Sequence, residues 1–133
     1  MWVYSKENQI YTIFTTKIKK KYSDITCTRD GNPSDATNKF PCAYLNFNSI
    51  ETGETLCDDD VNAIISTIKV QIVGNKTVTL SKTRQIAFDA VTILKQLGYT
   101  ATIMPQNALT DNDTILFVFE MRRHLGALDT IKG

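Results

Sequence analysis

Ile10, Ile13, Phe14 and Ile18 recur at i, i+3, i+4 and i+8, the spacing that lines one side of a helix, and they predict an amphipathic α-helix over residues 5–22. Ser5 is a plausible N-cap with Glu7 or Asn8 in the first turn. Lys17, Lys19, Lys20 and Lys21 crowd the other end, where cations complement the helix dipole. The pattern then changes period. Ile25-Thr26-Cys27-Thr28 is short and β-prone, residues 29–39 are polar with Gly and Pro and read as a loop, and Phe40-Pro41 opens a strand over Cys42–Asn48. Ala43, Leu45 and Phe47 alternate with other residues there, which predicts one buried face. Residues 49–60 are polar again and read as a loop or a long hairpin tip. Val61–Asn75 reads as a long strand with Ile64, Ile68, Val70 and Ile72 among its apolar positions. Ile65 breaks strict alternation, so a bulge or burial on both faces is expected.

Gly74-Asn75 turns the chain into a second helix capped by Thr79 or Ser81. Ile86, Ala87, Ala90, Val91, Ile93, Leu94 and Leu97 form its wide apolar face, Arg84, Asp89 and Lys95 are expected to face water, and Gly98 is an ordinary stop. Tyr99–Met104 is β-prone and ends at Pro105, and Gln106–Asp113 is a polar connection. Thr114–Arg123 is the strongest strand. Its odd positions Ile115, Phe117, Phe119 and Met121 face the helices, and its even positions Leu116, Val118, Glu120 and Arg122 face away. The order α-β-β-β-α-β-β predicts an α+β fold in which two helices pack on one face of a mostly antiparallel sheet. Leu116 and Val118 on the opposite face suggest a surface that meets a partner subunit.

The chain of 133 residues is read as one domain, 1–133, large enough to bury a core without a disulfide or metal staple. Fifteen Lys and Arg against fourteen Asp and Glu leave a net charge of +1, which lacks the global positive field of a dedicated nucleic-acid binder. Met1-Trp2-Val3-Tyr4-Ser5-Lys6-Glu7 is not a signal peptide and no apolar stretch reaches the ~20 residues of a membrane span, so the expected setting is the cytosol, without a membrane. There the Asn-x-Thr patterns at Asn75 and Asn112 carry no meaning. Cys27, Cys42 and Cys57 are odd in number and widely spaced, which argues against a disulfide framework. His124 is the sole histidine, so neither a catalytic triad nor a zinc site assembles from these residues. Asp58-Asp59-Asp60 lacks the alternating acids, Gly and distal Glu of a calcium loop. No catalytic, cofactor-binding or metal residues are expected, and the chain is read as a non-enzyme.

The local phrases Phe40-Pro41-Cys42-Ala43-Tyr44, Val70-Gln71-Ile72-Val73-Gly74-Asn75, Leu97-Gly98-Tyr99 and Asp111-Asn112-Asp113-Thr114 follow the Lys-rich end of the first helix in that order. An aromatic strand ending at Arg122-Arg123 closes the series. From about Ile10 to Leu128 this resembles the tail-terminator or tail-completion proteins of long-tailed bacteriophages, which cap the tail tube and join it to the neck. The resemblance implies a structural virion protein assembled in the host cytoplasm as a homo-oligomeric ring, normally of six subunits. Such a ring stops tube growth, contacts the tail-tube protein and a head-connector or neck protein, and lets genomic DNA pass its lumen without specific binding. Candidate contacts between subunits, or to tube and neck, are Thr52, Glu54, Asp58, Asp59, Asp60, Gln106, Asp111 and Asp113 on loops, with Leu116 and Val118 on the uncovered sheet face. Two alternatives stay open: a neck adaptor or tail-tube subunit, and a small nucleic-acid-binding α+β module using Lys17, Lys19, Lys20, Lys21 and Arg29.

Overall fold

In the computed structural model, which describes residues 2–29, 41–51, 63–75, 79–108, 114–126 and 129–131, the first helix α1 spans Trp2–Lys21. It starts three residues before Ser5, because Val3 extends the buried stripe to Val3, Glu7, Ile10, Phe14 and Ile18. Ser5 is therefore inside the helix rather than its cap. Five strands follow: β1 Thr26–Arg29, β2 Cys42–Glu51, β3 Ala63–Asn75, β4 Thr100–Ala108 and β5 Thr114–Gly126, with α2 Leu80–Gln96 between β3 and β4. They form one sheet in the order β1-β2-β3-β5-β4. Only β1 and β2 pair in parallel; every other neighbour is antiparallel. The fold is α+β, with both helices on one face of a mostly antiparallel sheet. Because β5 lies between β3 and β4 and runs against both, β3-α2-β4 is a crossover with a strand inserted into it, a split β-α-β arrangement.

The core lies between the helices and one sheet face. Ala43 and Leu45 of β2, Ile64, Ile68, Val70 and Ile72 of β3, and Phe117, Phe119, Met121 and Leu125 of β5 meet Ile10, Phe14 and Ile18 of α1 and the predicted apolar face of α2. Thr79, not Ser81, caps α2, its hydroxyl accepting from Lys82 N at 3.2 Å. The helix ends at Gly98, whose φ of 92° only glycine adopts without strain. Gly98 N bonds Lys95 O and Tyr99 N bonds Leu94 O, each at 3.0 Å, the paired bonds of a Schellman end.

Three sequence expectations change. Ile65 causes no bulge: the β3 ladders to β2 and β5 run without a break, and Ile65 sits on the helix-free face opposite His124. The register shifts lie in β4, between Ala101 and Ile103 and between Ile103 and Gln106. Pro105 does not end that strand, because β4 is a sheet edge and a proline facing away from the ladder forfeits no hydrogen bond. Gln106 therefore belongs to β4 rather than to a polar connection.

Candidate functional site

The sheet face turned away from both helices is a candidate surface for recognition. Cross-strand register arranges it in rows. Thr26, Cys42, Val73 and Leu116 form the first, and Thr28, Tyr44, Gln71, Val118 and Gln106 the second. Asn46, Lys69, Glu120 and Ile103 follow, then Asn48, Thr67, Arg122 and Thr100. Apolar character is confined to one end. Cys42, Tyr44 and Val73 are buried there, with Leu116 half-buried against them, separate from the main core. The middle rows are polar, and Lys69 stands directly across from Glu120. At the β4 edge Ile103 and Met104 are exposed.

Of the predicted contact residues, Leu116 and Val118 take the helix-free face and Gln106 comes into register with Val118. The structure thus brings these three together at the apolar end. Thr52, Glu54, Asp58, Asp59, Asp60, Asp111 and Asp113 lie outside the described residues, as does Cys57.

Three polar clusters were not anticipated. Glu7 occupies a position on the apolar stripe of α1, and Arg29 of β1 answers it at 3.0 Å, with the two side chains 11% and 13% exposed. Arg29 also donates to Asn8 and lies 4.7 Å from the Tyr4 ring centre and 4.9 Å from that of Phe47. A carboxylate at a stripe position is the sequence signal for this pair. Asp89 does not simply face water: Tyr22 donates its hydroxyl to it and Lys21 stands 3.6 Å away, tying the end of α1 to α2. Burial, followed by that bond to Asp89, drives the Tyr22 hydroxyl well above its ordinary pKa. Arg123 donates to Leu97 O at 2.7 Å and stands 3.8 Å from Asp129, whose carboxylate accepts from Gly126 N.

The lysines at the end of α1 form a basic edge beside a groove of about 310 Å³ between the helices, lined by Lys17, Lys20, Lys21, Thr92, Ile93 and Gln96. Lys17 bonds Gln96 at 3.2 Å. Lys19 and Lys20 are exposed, with no ion pair or hydrogen bond to another described residue.

Reactive chemistry is sparse among the described residues. No three His, Cys, Asp or Glu side chains are grouped to hold a metal, and His124 is exposed. Burial pushes the Cys27 thiol above its ordinary pKa, with Lys19 pulling it back only in part, so it is not an activated thiolate. Among the described residues no helix is long and apolar enough to cross a membrane. Compared with known protein families and with curated proteins, the chain matches none.

Proposed function

We propose that this chain is a structural virion protein of the tail-terminator type, a ring subunit that caps a phage tail tube, stops its growth and joins the tail to the neck. The observation that carries the reading is the one-sided cover of the sheet. Both helices pack on one face, while the other carries the half-buried Leu116 and Val118 next to the buried Tyr44 and Val73. A ring subunit needs two different surfaces that complement each other, and a helix-free sheet face with an apolar end offers contact area for one of them. Terminator, neck adaptor and tube subunit differ in how assembly ends. The nucleic-acid alternative is less supported, since Lys17 and Lys21 are engaged by Gln96 and Asp89 and Arg29 by Glu7.

The test is the mass of the purified protein by light scattering across a concentration series, with and without tail tubes. A closed species near six times the 15.0 kDa chain mass is the expected result. Open-ended growth would replace the reading with a tube subunit. A monomer that also fails to bind tube ends would refute it.

A further inference from the structure

We infer that the outer face of the two helices is a docking site for an acidic polypeptide segment of another protein, one that carries carboxylates on either side of an apolar side chain. The charge of the chain is unevenly divided. α1 and α2 hold eight Lys and Arg side chains against two carboxylates, a balance of +6 within a chain of net charge +1. Both carboxylates are committed inside the fold, Glu7 to Arg29 and Asp89 to Tyr22 and Lys21. The helix dipole accounts for a cation or two in a last turn. It does not account for Lys82 and Arg84 near the start of α2, the end that disfavours cations. Nor does it require Lys17, Lys20 and Lys21 at i, i+3 and i+4, like charges that oppose the helix they stand on.

The packing of the helices turns these cations into a track. α1 runs antiparallel to α2, with Lys17 bonded to Gln96 at 3.2 Å and Lys21 standing 3.6 Å from Asp89. α1 therefore ends about halfway along α2, and the opening turns of α2 continue past it. The groove of about 310 Å³ between the helices has Lys17, Lys20 and Lys21 on one wall and Thr92 and Gln96 on the other. One turn nearer the start of α2, a second hollow of about 450 Å³ lies against Arg84 and Phe88. Phe88 and Thr92 are i, i+4 neighbours, so the two hollows follow one face of the helix. From Ser81, at the edge of the second hollow, to Gln96 the track is about 22 Å long.

The groups along the track select the occupant. Phe88 is 37% exposed, and the Arg84 guanidinium lies 5.3 Å from its ring centre. Stacking holds a guanidinium in place while its in-plane N–H groups stay available to a carboxylate. Thr92 and Gln96 add neutral hydrogen-bonding groups, and Phe88 adds an apolar contact between the cations. Carboxylates interleaved with an apolar side chain match that set. About seven extended residues span 22 Å, and a segment lying in the track stays within the screening length of about 8 Å from its cations. A nucleic acid would run past the track onto the rest of the chain, where the charge balance is −5. Arg84 also takes a place over Phe88 that a stacked base would need. The inference concerns the helices rather than the helix-free sheet face, so it does not rest on the ring reading.

The test is fluorescence anisotropy of the full chain with labelled probes at low and high salt. One probe is a peptide of about eight residues, glutamates around a central leucine; a second has serine for the leucine; a third is a DNA oligonucleotide of the same charge. The leucine peptide is expected to bind, to bind more weakly as salt rises, and to bind more tightly than the oligonucleotide. The serine peptide is expected to bind several-fold more weakly. Lys20 and Arg84 are exposed, so K20E/R84E is expected to fold, as circular dichroism and a thermal melt would confirm, and to bind about a hundredfold more weakly. Arg122→Glu, on the exposed helix-free face, is expected to bind like wild type. Absence of peptide binding at low salt, equal binding of the two peptides, or equal binding by K20E/R84E would each overturn the inference. Weakening by Arg122→Glu as great as that by K20E/R84E would overturn it by showing attraction without a site. An oligonucleotide bound more tightly than the peptide would overturn it and assign the face to nucleic acid. None of these outcomes bears on the ring, which the mass measurement reads separately.

Discussion

Glu7 and Arg29 offer the sharpest test of how this fold holds its edge strand. They are 3.0 Å apart and nearly excluded from solvent. At an effective dielectric constant near 20 their attraction is roughly 5–6 kcal/mol. Desolvating two ions costs several kcal/mol each, so the intact pair contributes little net stability. Removing one member is different, because the survivor keeps its desolvation cost and loses this ion pair. Arg29→Met is expected to destabilise the protein by about 3–5 kcal/mol, and Glu7→Leu by a similar amount, softened by the Asn8 contact and by the Tyr4 and Phe47 rings around Arg29. The double variant places Leu between Val3 and Ile10 on the buried stripe and leaves the Met stem against the same rings, so it is expected near wild type. The coupling between the two positions should therefore be several kcal/mol. Urea unfolding of all four chains, with midpoints and slopes fitted together, measures it. Single variants costing less than about 1 kcal/mol, or costs that simply add in the double, would show that the pair is solvated and the reasoning wrong.

Other expectations follow from close contacts and burial. A Cβ at Gly74 would stand 2.2 Å from Thr83 Oγ1, which is bonded to Thr79 O; Gly74→Ala should cost about 1–3 kcal/mol in denaturant unfolding, and most of that cost should vanish in a Thr83→Ala background. Gly98→Ala should lower the melting temperature, losing about 1–2 kcal/mol at its positive φ while also crowding the Arg123 guanidinium. Burial holds the Tyr99 hydroxyl up to about 12 against an ordinary 10.0, despite its bond to Ser66. The folded state keeps that proton longer than the unfolded one, so this contribution is complete below pH 10 and is lost as pH rises toward 12, on the order of 3 kcal/mol in all. Urea midpoints measured across that window should fall less steeply for Tyr99→Phe than for wild type.

How far the sequence discloses this structure depends on which force dominates at each element. The second helix is legible to within a residue or two because a broad apolar face, a capping threonine and a terminal glycine all agree. The alternation of β5 likewise shows which residues enter the core and which, Leu116 and Val118 among them, face away. Three features are less visible. Thr-Cys-Thr-Arg of β1 carries no alternation, and its parallel pairing with β2 is a tertiary choice. Pro105 looks like a strand end because the rule presumes ladders on both sides, whereas β4 has one. Glu7 reads only as a first-turn residue because its partner Arg29 is 22 residues away. Period two places Leu116 and Val118 on the helix-free face, whereas the loop acids carry no periodic signal that places them.

The two edges of the sheet bear on how copies can meet. An exposed edge strand invites pairing with another chain. Here β1 has four residues and its last, Arg29, is turned into the pair with Glu7, while β4 carries Pro105 and two register shifts. Short length, a proline and irregular register are features that blunt an edge against unlimited strand addition. A subunit guarded in this way must associate through side chains rather than by extending its ladder. That leaves the helix-free face, the helical surface and the basic end of α1. Contacts of that type depend on shape and charge and can close at a fixed angle, whereas ladder addition has no inherent stop. Blunted edges are therefore what a chain needs if its assembly is to end in a ring.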